Sequence, residues 1–187
     1  MFISHKYKFA FYGVPRTGST AMYRALRLAD PAGIYTGKHA GNNSIGQTGY
    51  YTFACVRNPY SREVSHYLYR KTTRNNTLYG FVKRLSFEQY IAWSTSQTAP
   101  PQHCHDNTQS KWLADIRLNS VLKFEELPGA WDTVTRSIGL DIPLGKTNTK
   151  LGPAPWKPYY TRKIAEQVYS WAKEDFSSFT YSRDSWR

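Results

Sequence analysis

Residues 8–27, KFAFYGVPRTGSTAMYRALR, constrain this chain more than any other stretch. Phe9 to Tyr12 form an apolar, aromatic-rich run with the length and residue types of a buried strand, and Gly13 and Pro15 break it. Ser19 or Thr20 then opens a segment with Ala21, Met22, Ala25, Leu26 and Leu28 at helical spacing. The pattern predicts a strand, a tight loop and a helix. A helix N-terminus offers unpaired backbone N–H groups and the positive end of its dipole. A loop there, carrying Arg16, Thr17, Gly18, Ser19 and Thr20, is suited to an anion, with phosphate the first candidate.

Gly13 and Gly18 have the separation of the P-loop pattern G-x-x-x-x-G-K-[ST], with Thr20 at the hydroxyl position, but Ser19 stands where that pattern has lysine. Loss of the lysine that reaches the β- and γ-phosphates argues against a triphosphate held with magnesium. Phosphate binding without the NTPase apparatus remains.

A formal net charge of +12 points to anionic partners, and nucleic acid, a phosphorylated cofactor and an acidic glycan all satisfy it. With 187 residues the expectation is a single domain over 1–187 with a proper core. Two cysteines, Cys55 in a predicted strand and Cys104 in a polar loop, give no disulfide framework. The N-terminal residues lack the long apolar core of a signal peptide, and no stretch approaches the ~20 apolar residues of a membrane span. The expectation is a soluble, cytoplasmic protein.

Further strands are expected near residues 33–35, over 50–56 and over 120–124. Helices are expected over 60–71, from the Ser86/Gln89 capping box to Trp93, over 110–118, over 129–138 with Gly139 at the C-cap, and over 161–173. Residues 72–80 read as polar connection and 96–109 as a loop. Strands alternating with helices predict an α/β fold, P-loop-like and three-layered, with a central, mainly parallel sheet flanked by helices. Ligands in such folds gather at the carboxyl ends of the strands. Both anion-prone segments, 13–20 and 57–65, follow a predicted core strand, so parallel neighbours would bring them to one edge.

The pair PRTGST (15–20) and VRNPYSREVSHY (56–67) resembles the two nucleotide signatures of sulfotransferases that use 3′-phosphoadenosine 5′-phosphosulfate, PAPS. The likeness extends through KFEELPGAW (123–131), Asn148, Tyr159-Tyr160 and VYSWAKEDFSSFTY (168–181), the last similar to the closing pattern of carbohydrate-type members. The resemblance implies that the first loop, with Arg16, Thr17, Gly18, Ser19 and Thr20, cradles the 5′-phosphosulfate. It implies that Arg57 and Ser65, eight positions apart, hold the 3′-phosphate. His39, between the first loop and the next strand, matches the family's histidine and is the expected base; Lys38 either assists the sulfuryl group or is a surface lysine. The implied donor is PAPS, the product adenosine 3′,5′-bisphosphate (PAP), and the acceptor a hydroxyl, by resemblance carbohydrate, with no metal required. Members often carry lysine where this chain has Arg16.

A nucleotide kinase with a degenerate P-loop and a basic nucleic-acid-binding module are the alternative readings. The kinase needs an acidic residue at the end of a core strand, where Arg57 stands instead. Nucleic-acid binding draws support from charge and tyrosines alone. His103, Cys104, His105 and Asp106 lie too close in sequence to converge on one tetrahedral ion. Arg62 is expected in a structural ion pair and His66 in a structural role. Glu125 and Glu126 are either partners of basic residues or a solvated pair.

Overall fold

A computed structural model describes residues 1–36, 49–96, 107–145 and 155–187. The chain divides into two compact units, Met1–Arg57 with Lys111–Gly152, and Asn58–Ser110 with Pro153–Arg187.

The first unit is built on a five-stranded sheet ordered β3-β1-β2-β4-β5. Its strands are β1 (Phe2–Ser4), β2 (Phe9–Gly13), β3 (Ile34–Tyr35), β4 (Tyr51–Val56) and β5 (Ser120–Lys123). β2, β4 and β5 are parallel, and β1 runs antiparallel to both β2 and β3. The fold is thus α/β with a sheet parallel at its centre, as the alternation of strands and helices predicts. Among its described residues the unit also carries the helices α1 (Ser19–Ala29) and α6 (Gly129–Ser137). The pleat sends Phe9, Phe11 and Phe53 into one cluster with Met22, Tyr23 and Leu26 of α1 and with Trp131 of α6. Trp131 is fully buried and its indole N–H donates to the Ile142 carbonyl at 2.8 Å, so its one polar atom is satisfied. β4 and β5 are stapled at their amino ends, where the Thr52 N–H donates to Asn119 Oδ1 (2.8 Å) and its hydroxyl to the Arg117 carbonyl (2.7 Å).

β1 was not predicted. Three residues are too few for a periodicity signal, and Phe2 and Ile3 are strand only because β2 and β3 pair on either side.

The second unit is helical, with α2 (Pro59–Thr72), α3 (Tyr79–Val82), α4 (Phe87–Ser94), α7 (Arg162–Trp171) and α8 (Lys173–Ser178). A short helix, α5 (Gln109–Trp112), begins at its edge. Its core is aromatic, with Tyr60, Tyr67, Phe87, Tyr90, Tyr160 and Phe176 all buried. α2 starts where Asn58 Oδ1 accepts from the Tyr60 N–H at 3.0 Å and Pro59 takes the first turn. The capping box opening α4 is present as read, with Ser86 and Gln89 exchanging bonds of 3.2 and 2.9 Å. α3 begins inside the expected polar connection. The helix expected over 161–173 ends at Trp171 and α8 follows at once, with the Asp175 carboxylate accepting from the Gln109 and Ser110 amides at 2.9 and 2.7 Å.

Candidate functional site

Strand register decides what meets at the sheet's carboxyl edge. Gly13 pairs with Cys55, and Val56 with Lys123, so residues 14–18, Arg57 and Phe124 all leave the sheet at one end. The first loop and Arg57 are therefore brought together, as parallel pairing of their strands requires.

The loop is fixed from inside. The Gly13 N–H donates to the Tyr23 hydroxyl at 3.1 Å, tying the loop's start to α1. Thr17 is fully buried, and its hydroxyl donates to the Val14 carbonyl at 2.8 Å, so this side chain braces the loop and only its amide remains for a ligand. The Cys55 thiol lies against that hydroxyl, and burial pushes its pKa well up, which keeps it neutral beneath the loop. Arg16 and Gly18 both have left-handed backbone, with φ of 69° and 80°. Gly18 tolerates this without a Cβ, whereas Arg16 accepts a cost of about 1–2 kcal/mol.

Gly18 is also the N-cap of α1, and having no side chain it makes no capping bond. The first turn of α1 holds no acidic residue. The first turn of α1 thus carries neither a capping side chain nor an acidic residue, next to Arg16 and the partly exposed Thr20. Arg57 closes the arrangement: its Nη1 donates to the Arg16 carbonyl at 3.3 Å, and its guanidinium lies 4.3 Å from the centre of the Phe124 ring. Two arginines, backbone N–H groups and a hydroxyl at one edge form a donor set for a phosphate or sulfate, with every named group cationic or able to donate.

Ser65 is half-buried on α2, in the second unit. Arg62, expected in an ion pair, is buried with Glu63 at 3.5 Å and donates to the Asn107 carbonyl at 3.1 Å. His66 is buried on the same helix. Lys38 and His39 lie outside the described residues, as do His103 to Asp106, Lys146, Asn148 and Lys150. Among the described residues no group of three His, Cys, Asp or Glu side chains is placed to hold a metal. No described helix is long and apolar enough to cross a membrane.

A family model described as the sulfotransferase family matches residues 1–138. The chain belongs to the sulfotransferase family. The matched stretch contains the first loop, Lys38, His39, Arg57 and Ser65, so every residue singled out for the site falls inside it. No curated protein and no solved structure matches the chain. Family membership gives this sulfotransferase its general chemistry, transfer of a sulfuryl group to an acceptor, and sets the kinase and nucleic-acid readings behind it.

Two residues of the sulfotransferase edge escaped the sequence reading. Tyr23 lies outside the apolar spacing that marks α1, and nothing local says that its hydroxyl reaches back ten residues to Gly13. Phe124 stood in the quoted KFEELPGAW stretch, but only the β4–β5 register reveals that its ring faces Arg57.

Proposed function

We propose that this enzyme transfers the sulfuryl group of PAPS to a hydroxyl acceptor, by resemblance a carbohydrate, with His39 as base. The observation that carries the reading is the loop at residues 15–20, wrapped over the uncapped N-terminus of α1 with Arg57 hydrogen-bonded to its Arg16 carbonyl. That donor set fits a nucleotide bearing several negative charges, and no acidic side chain in the first turn of α1 opposes it.

The donor, when bound, supplies an activated sulfuryl group on a mixed anhydride whose cleavage releases PAP. Arg16, the amides of Thr17 to Thr20 and the hydroxyls of Ser19 and Thr20 would hold the 5′-phosphosulfate. Arg57 and Ser65 are assigned to the 3′-phosphate on their spacing in the second signature. His39, whose ordinary pKa of about 6.5 suits proton acceptance at neutral pH, takes the proton of the acceptor hydroxyl as its oxygen bonds to sulfur. The bond from sulfur to the phosphate oxygen breaks in line as that oxygen takes up the negative charge, and Lys38 is assigned to the sulfuryl group. Arg16, always protonated, stabilises without accepting a proton.

Isothermal titration calorimetry with PAP in the absence of magnesium, against ATP and 5′-AMP, tests the donor assignment. Tight binding that requires the 3′-phosphate and is lost in Arg57→Ala is expected. A preference for ATP with magnesium would restore the kinase. For the chemistry, His39→Ala is expected to abolish sulfuryl transfer to a panel of glycan acceptors while keeping PAP affinity, and transfer should survive EDTA; undiminished turnover in that variant removes His39 from the mechanism.

A further inference from the structure

We infer that Phe124 is a positioning residue that holds the Arg57 guanidinium and the first loop in one fixed relation, making Arg57 selective for a nucleotide's 3′-phosphate. The inference rests on the donor reading above and deepens it.

Phe124 follows β5 directly, and its position comes from the sheet. Lys123 pairs with Val56, so the residues after each, Phe124 and Arg57, emerge side by side. The guanidinium carbon stands 4.3 Å from the ring centroid, within the range of a cation–π contact. The same ring seats Gly18. A Cβ on Gly18 would come within 3.3 Å of the ring's Cδ2 and Cε2, so the loop backbone packs directly on this aromatic edge. The ring is not free to drift, being packed against the core cluster of the first unit, while the Leu127 N–H donates to the Phe124 carbonyl at 3.3 Å and closes a tight turn behind it.

One side chain thus touches both the N-cap of the phosphate-binding helix and the cation assigned to the second phosphate. A long arginine side chain has many rotamers, and a ligand that must order it loses affinity. A cation–π contact that holds the guanidinium on the ring restricts those rotamers. A leucine here would keep apolar bulk against Gly18 but offer no π face, whereas tyrosine would keep both.

The experiment measures the ratio of dissociation constants for 5′-AMP and PAP by calorimetry, in wild type, Phe124→Leu, Phe124→Tyr, Arg57→Ala and the double variant Arg57→Ala/Phe124→Leu. Thermal melting is recorded alongside; if Phe124→Leu does not fold, Phe124→Met, which also lacks the ring, replaces it. The wild-type preference for PAP is expected to fall about tenfold in Phe124→Leu, the order of one cation–π contact, and to be kept in Phe124→Tyr. In the Arg57→Ala background the leucine substitution should leave the ratio unchanged. A ratio preserved in Phe124→Leu, an equal loss in Phe124→Tyr, or the same loss without Arg57 would overturn the positioning role. A wild-type protein with no preference for PAP would overturn the donor reading, and this inference with it; a clear wild-type preference that Phe124→Leu leaves intact overturns this inference alone.

Discussion

Replacing Gly13 by alanine would put a methyl group where Tyr23 already sits. The added Cβ would lie 2.4 Å from the Tyr23 oxygen, 2.6 Å from Cε2 and 2.7 Å from Cζ, all far inside contact distance. Gly13 does not have a left-handed backbone, so the penalty is steric rather than conformational. Tyr23 has little room to yield: it is buried, with its ring packed edge-on against Phe11 at 5.0 Å and Tyr35 at 5.1 Å. Displacing it also breaks the bond from the Gly13 N–H to its hydroxyl. Overpacking costs about 1–3 kcal/mol and the lost bond about 1 kcal/mol, against a gain of up to about 1 kcal/mol from a stiffer unfolded chain. The net loss expected for Gly13→Ala is about 1–4 kcal/mol, read from urea denaturation with the far-ultraviolet circular dichroism signal. Because Gly13 begins the loop proposed to hold the donor's 5′-phosphosulfate, PAP affinity should fall with it. Tyr23→Leu removes all three clashing atoms, and in that background the alanine should cost less than about 0.5 kcal/mol. An equal cost in both backgrounds, or a near-neutral Gly13→Ala, would refute the claim that Tyr23 dictates glycine here.

Two further outcomes follow from buried polar groups. Asp175→Ala should lose about 3 kcal/mol in the same assay, because the carboxylate is buried and accepts from the Gln109 amide, the Ser110 amide and Gln109 Nε2; a loss under about 0.5 kcal/mol would show that water replaces it. Cys55 is fully buried with its thiol pKa raised by burial, so in a Cys104→Ser background it should resist a thiol reagent at pH 8 until the protein unfolds. The linkage sign follows: above about pH 9 the unfolded chain releases a thiol proton that the folded protein keeps, so stability should fall as pH rises, less steeply in Cys55→Ala. Labelling of the native protein, or an identical slope in the alanine variant, would contradict the buried placement.

The central elements were legible because their signals are local. β2 and β4 are short apolar runs ended by Gly13 and by Asn58-Pro59, and the α4 capping box is a four-residue pattern whose two bonds need no distant partner. The path of the first loop was legible for the same reason, since glycine spacing after a strand implies a turn onto a helix. What local pattern did not carry was the use of each side chain. Thr17 and Thr20 look alike in sequence, yet Thr17 is fully buried and bonded to Val14 while Thr20 is partly exposed. The Asp-Phe of the closing stretch reads as a motif, but its roles, a carboxylate on two amides and a ring in an aromatic core, appear only with Gln109, Ser110 and Tyr60 beside them.

By itself the amino-acid sequence determined an α/β chain with a glycine-bounded loop between its first long strand and the helix after it, an arginine after the next strand, and the family signatures that name the general chemistry. Those properties depend on residues within one or two turns of each other, where chain connectivity already sets the geometry. Tertiary structure alone decided that β2, β4 and β5 pair in parallel with Gly13 beside Cys55 and Val56 beside Lys123. That register is selected by burying Phe9, Phe11, Phe53 and Leu122 in one cluster, since a one-residue slip would turn a strand's whole set to the opposite face. From it alone follow the meeting of Arg57 with the Arg16 carbonyl, and of one phenylalanine ring with both Arg57 and Gly18.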